Sequence, residues 1–107
     1  MELNWIDTHA HLYQPAFDDD IAQVVDRALV SGVSKILLPN IDLDSIEPMM
    51  RLCAQFPDVF RPMMGLHPCD VKEDFEQVLS KMESLFAQNN FVAVGETGMD
   101  LYWDKTT

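Results

Sequence analysis

Four short apolar runs, Asn4–Asp7, Lys35–Pro39, Phe60–Gly65 and Phe91–Gly95, recur along the chain, and each gap between them carries a helical stripe. Their starts lie roughly 25–31 residues apart, the size of a strand–helix–strand unit. None of the runs alternates cleanly between polar and apolar residues. That pattern suits strands buried on both faces of a parallel sheet, and right-handed crossovers would make the four strands neighbours. The expected order is β-α-β-α-β-α-β.

The stripes support this reading. Ile21, Val24, Val25, Ala28 and Leu29 follow the spacing of one helix face, with Asp18, Asp19 and Asp20 at the dipole-positive start and Gly32 placed for a left-handed C-terminal cap. Ile46, Met49, Met50 and Cys53 form a second stripe, for which Ser45 is the expected N-cap and Pro48 a first-turn residue. Phe75, Val78, Leu79, Met82, Leu85 and Phe86 form a third. The methionines read as core filler and Cys53 as a small buried hydrophobe. Cys69, after His67-Pro68, is either a plain loop thiol or one beside a metal.

A closed (β/α)8 barrel takes about 250 residues. The 107 residues here therefore amount to close to half of one, or to a small open α/β sheet complete in itself. Charge narrows the function. With 7 Lys+Arg against 18 Asp+Glu the net charge is −11, and no basic stripe is present. This argues against a basic nucleic-acid-binding module, but not against an enzyme whose bound cations meet a phosphate. No apolar run approaches the ~18 residues of a membrane span, and MELNWID lacks the features of a signal peptide. A cytoplasmic, non-membrane protein is expected.

In parallel α/β folds, chemistry gathers at the C-terminal ends of the strands. The first strand ends in Asp7-Thr8-His9-Ala10-His11, the third in Gly65-Leu66-His67-Pro68 and the fourth in Gly95-Glu96-Thr97-Gly98-Met99-Asp100. All three histidines thus fall on one rim. Alternate residues of an extended segment share a face, so His9 and His11 are either two ligands for one metal ion or a surface detail. Glu96 strengthens the metal reading, because a carboxylate closing an apolar strand is expensive to bury without a partner. Two imidazoles and a carboxylate match hydrolytic Zn²⁺ or Mn²⁺ sites, and a salt bridge along the rim is the rival account. His67 can bind a phosphate or cap a loop. Asp7 and Asp100 can orient ligand imidazoles from behind or cap backbone groups.

Taken together, "IDTHAHL", "GLHP" and "VGETGMDLYWDKT" resemble the TatD-like metal-dependent deoxyribonucleases of the amidohydrolase superfamily. The resemblance covers nearly the whole chain but only the N-terminal half of the family's domain. It implies that residues 1–107 are the N-terminal half of a TIM-barrel hydrolase, truncated after the fourth strand. It implies one or two divalent metal ions (Mg²⁺, Mn²⁺ or Zn²⁺), with His9 and His11 as ligands and Glu96 as the catalytic carboxylate that ligates or bridges them. His67 would lie near the substrate phosphate. The whole protein would hydrolyse DNA phosphodiester bonds with metal-activated water. Alternatives are another amidohydrolase-type ester or amide hydrolase, or an inactive metal-binding half barrel. Two histidines and an aspartate that the family takes from later strands have no counterpart here. The chain by itself is therefore expected to be nearly inactive, and to associate through open barrel edges or be marginally stable.

Overall fold

The structure, a computed structural model, describes residues 4–98 and 100. Met99 and the last part of the third motif, from Leu101 onward, lie outside the described residues. Four strands form one parallel sheet in the order β1-β2-β3-β4: β1 Trp5–Asp7, β2 Val33–Pro39, β3 Phe60–Met64 and β4 Ala93–Val94. The connecting helices are α1 Ile21–Val30, α2 Ile46–Gln55 and α3 Phe75–Gln88. Consecutive strands that are parallel neighbours, each joined through a helix, make half of a (β/α)8 barrel.

The registers bring the four C-terminal ends to one rim. Asp7 lies opposite Ile36, Pro39 opposite Met63, and Met64 opposite Val94. A bulge between Trp5 and Ile6 takes up one residue near the start of β1. The last strand is shorter than its apolar run suggests. Its hydrogen bonding nonetheless continues on both sides, from Val92 N–H to the Pro62 carbonyl (2.9 Å) and from Gly95 N–H to the Met64 carbonyl (2.8 Å).

Most of the stripe residues meet the sheet. Val25, Met49 and Met82 are buried, as is Leu52, which the second stripe omits, and Ile36, Leu38 and Phe60 complete the centre of the core. Burying each of these large side chains contributes about 1.5–3 kcal/mol. Met50 and Cys53 are only partly covered, though both pack on the core. Cys53 is still removed enough from water that burial pushes its thiol up to about 11, against the pull of Arg61.

The stripes overreach at their margins. Leu29, Phe75, Leu79 and Phe86 are exposed; with Phe86 stacked on Phe91 at its margin, α3 packs on the core through Val78, Met82 and Leu85. Those three follow an i, i+4, i+7 line, narrower than the apolar arc that the sequence shows. Trp5, Ile6, Val92 and Val94 are also exposed, on or beside the first and last strands of the sheet. The surplus apolar surface thus lies on the two open edges and on the outer helices.

Helix ends follow the expected chemistry in one case and not in another. Gly32 caps α1 with φ 98°, a left-handed value that only glycine adopts without strain. Ser45 does not cap α2 with its side chain. Its hydroxyl instead accepts the Ile41 and Asp42 amides at 2.9 and 3.1 Å, while Asp42 Oδ1 accepts the Ser45 amide at 2.8 Å. The serine is used to fold the loop leaving β2, which lies directly under the rim.

Candidate metal centre

The segment after β1 stays attached to the sheet. Ala10 N–H donates to the Leu37 carbonyl at 3.2 Å, which holds the residues on either side against the end of β2. His9 and His11 therefore emerge side by side from the rim. Their Nε2 atoms are 3.2 Å apart, and the rings meet edge to face. The loop after β3 is fixed in the same way, by His67 N–H donating to the Ile41 carbonyl at 2.8 Å.

Glu96 reaches the same point from the end of β4. Its Oε2 lies 3.0 Å from His9 Nε2 and 3.5 Å from His11 Nε2. Its other oxygen, Oε1, lies 2.9 Å from His67 Nε2. Glu96 can come this close because a glycine follows β3. A Cβ on Gly65 would stand 2.7 Å from the Glu96 carbonyl oxygen and 2.8 Å from Thr97 Cγ2. Gly65 is pinned in turn by Asn40, fully buried at the end of β2, whose Oδ1 accepts the Gly65 amide at 2.7 Å.

The three donor atoms of His9, His11 and Glu96 form a triangle with sides of 3.0, 3.2 and 3.5 Å. A Zn²⁺ ion binds such nitrogen and oxygen donors at about 2.0–2.2 Å, and bond angles of ~90–110° then set the donors about 3.0–3.5 Å apart. The donor set and its spacing both fit one divalent cation. Among the described residues, these three form the cluster able to hold a metal ion.

The remaining candidates surround this triangle. His67 Nδ1 accepts the Cys69 amide at 3.0 Å, so in the neutral ring the proton sits on Nε2 and is donated to Glu96. Asp7 Oδ1 accepts the His9 backbone N–H at 3.1 Å and holds the main chain of this candidate ligand. The Cys69 thiol donates to Asp100 Oδ2 at 3.5 Å. Asp70, 3.9 Å from His67, is held above its ordinary value by burial and then by the Asp42 carboxylate, against the opposing pull of His67 and Lys72.

Two residues of this assembly were not evident in the sequence. Tyr13 is buried, and its hydroxyl lies 2.6 Å from the Pro39 carbonyl and 2.9 Å from His11 Nδ1. The alternation that pairs His9 with His11 extends to position 13, and that was the available signal. Asn40 had a weaker one, a polar residue immediately following an apolar strand.

Comparison with known proteins adds to this geometry. The profile of a family described as TatD related DNase matches residues 6–107. The chain is 34% identical over 100 residues to the uncharacterized metal-dependent hydrolase YabD of Bacillus subtilis, covering 94% of this chain and 39% of that protein. It is 31% identical over 94 residues to the 3'-5' ssDNA/RNA exonuclease TatD of Pectobacterium carotovorum, covering 88% and 36%. Its fold superposes on the crystal structure of YjjV, a TatD homolog from Escherichia coli, with TM-score 0.82 and 28% identity, over 98% of this chain and 41% of that one. The chain thus spans about two fifths of the length of these relatives.

Proposed function

The chain belongs to the TatD-related DNase family, and on that premise we propose that the whole protein is a divalent-metal-dependent hydrolase that cleaves phosphodiester bonds of DNA. The observation that carries the proposal is the convergence of His9 Nε2, His11 Nε2 and Glu96 Oε2 on one point at the barrel rim. The name of the Pectobacterium relative, an ssDNA/RNA exonuclease, supports a single-stranded nucleic acid as substrate. The net charge of −11 over these residues favours bound cations, rather than a basic surface on this part of the protein, as what meets the phosphate.

In this reading His9, His11 and Glu96 hold the metal, one or two ions of Mg²⁺, Mn²⁺ or Zn²⁺. Bound there, the metal supplies a Lewis acid that polarises the scissile phosphate and activates the attacking water. The protein's own part is to fix the ligands. Asp7 holds the main chain of His9, and Gly65 lets the end of β4 approach closely enough for Glu96 to join. His67 gives its Nε2–H to Glu96 Oε1 at the edge of the site, and in this reading the same N–H would turn to a phosphate oxygen of the substrate. Asp100 steadies the loop of Cys69, whose amide sets the His67 ring.

Hydrolysis of a labelled single-stranded oligodeoxynucleotide by the whole protein tests this function. Cleavage should require added divalent metal, disappear with excess chelator, and fall at least ~100-fold in His9→Ala/His11→Ala. Undiminished cleavage in chelator would refute it, and preferred hydrolysis of a small carboxylic ester would reassign the substrate to another amidohydrolase chemistry.

A further inference from the structure

Beyond the three ligand atoms, the structure assigns Tyr13 as the residue that sets the tautomer of His11 and aims its Nε2 lone pair at the metal point. The argument is a count of protons. The Tyr13 hydroxyl has one hydrogen, and around it lie the Pro39 carbonyl at 2.6 Å, His11 Nδ1 at 2.9 Å and the Ser45 hydroxyl, which can itself donate. A carbonyl can only accept, so the hydroxyl hydrogen goes to Pro39. The tyrosine oxygen is then the acceptor toward His11, and His11 must carry its proton on Nδ1. In the neutral ring this leaves Nε2 bare, facing His9 Nε2 at 3.2 Å and Glu96 Oε2 at 3.5 Å.

A bare nitrogen beside a carboxylate oxygen gains nothing from that neighbour unless a cation lies between them. The relay from the Pro39 carbonyl through Tyr13 to His11 therefore prepares the ring for a metal before any metal arrives. Ligand histidines commonly donate their second N–H to a fixed acceptor, which sets tautomer and orientation and raises basicity. Here the acceptor is a buried phenol anchored to the end of β2. Tyr13 is a positioning residue, since it touches neither the metal point nor Glu96 directly.

The inference rests on the metal reading of His11, so its test carries a readout that needs no metal. Long-range ¹H–¹⁵N correlation spectra of the metal-free chain report which ring nitrogen of His11 is protonated. We expect Nδ1–H with Nε2 unprotonated in the native chain, and a mixture of tautomers in Tyr13→Phe. Zn²⁺ calorimetry on the same samples should show affinity reduced roughly 10–100-fold in Tyr13→Phe. Predominant Nε2–H in the native chain would overturn the assignment, and that measurement does not depend on whether the variant folds. So would an unchanged tautomer and unchanged Zn²⁺ affinity in Tyr13→Phe. His9→Ala/His11→Ala separates the two claims. If it binds Zn²⁺ as the native chain does, the metal reading fails, while the tautomer result still decides the role of Tyr13.

Discussion

His67 and Glu96 meet at 2.9 Å across the rim, joining the loop after β3 to the end of β4. Glu96 is thereby held at both oxygens, Oε1 by His67 and Oε2 by His9. A carboxylate fixed at two points has lost most of its rotamer freedom, so less ordering remains when a cation binds. The placement of Glu96 depends on how closely the ends of β3 and β4 approach, which yields the first prediction.

Gly65→Ala should displace Glu96. The added methyl would fall 2.7 Å from the Glu96 carbonyl oxygen, well inside contact distance, and the opposing atom is backbone that cannot swing aside. Overpacking of this kind costs about 1–3 kcal/mol. Metal affinity should fall by roughly tenfold or more, because a ligand is moved along with the backbone. Calorimetry with Zn²⁺ and thermal melting check both effects, and an alanine variant matching the native chain in both would contradict the close approach.

Asn40→Ala should destabilise the fold with no change in any residue assigned to the metal. The side chain is fully buried, accepts the Gly65 amide at 2.7 Å and donates to the Asp42 carbonyl at 3.0 Å. Removing it strands a buried N–H, which costs about 1–3 kcal/mol. Denaturant unfolding should show a lower midpoint, and an unshifted midpoint would mean that water replaces the amide without loss.

The exposed edges predict association of the 107-residue chain. Trp5 and Val94, 59% and 65% exposed, lie on the first and last strands, whose outer backbone groups have no sheet partner among the described residues. Sedimentation should therefore give an average mass that rises with concentration. A sharply melting monomer at every concentration would show that the edges are closed within the chain.

Asp70 predicts a specific pH dependence. Burial and the nearby Asp42 hold its carboxyl above the ordinary 3.8, so the folded chain binds this proton more tightly than the unfolded chain does. The associated stability is complete below the unfolded value and is lost as pH rises through the higher folded value. Asp70→Asn should then melt above the native chain at pH 7, with the gap narrowing toward pH 4. An equal gap at both pH values, or a variant less stable at pH 7, would refute it.

The parallel half barrel was legible in the sequence because buried strands and amphipathic helices leave different periods. The convergence of His9, His11 and Glu96 was legible because alternate residues of an extended segment share a face and parallel strands end on one rim. The parts that were not legible depend on three-dimensional returns of the chain. Ser45 looked like a helix cap, yet its hydroxyl is satisfied by amides behind it, a choice set by how the loop leaving β2 folds. The role of Tyr13 was not legible, since only the closure of the loop onto Pro39 shows what its hydroxyl does. Leu79 reads as core because periodicity reports an apolar arc, not which part of it is covered, whereas Phe86 is covered in part by the Phe91 ring stacked on it.

The most direct test of the account is a calorimetric titration of Zn²⁺ and Mn²⁺ into the chain, its Glu96→Gln variant and His9→Ala/His11→Ala. The geometry predicts saturable binding to the native chain at one site, weakened at least ~10-fold by Glu96→Gln and abolished in the double variant. Equal binding by all three proteins, or no binding to the native chain, would contradict a metal centre built from His9, His11 and Glu96.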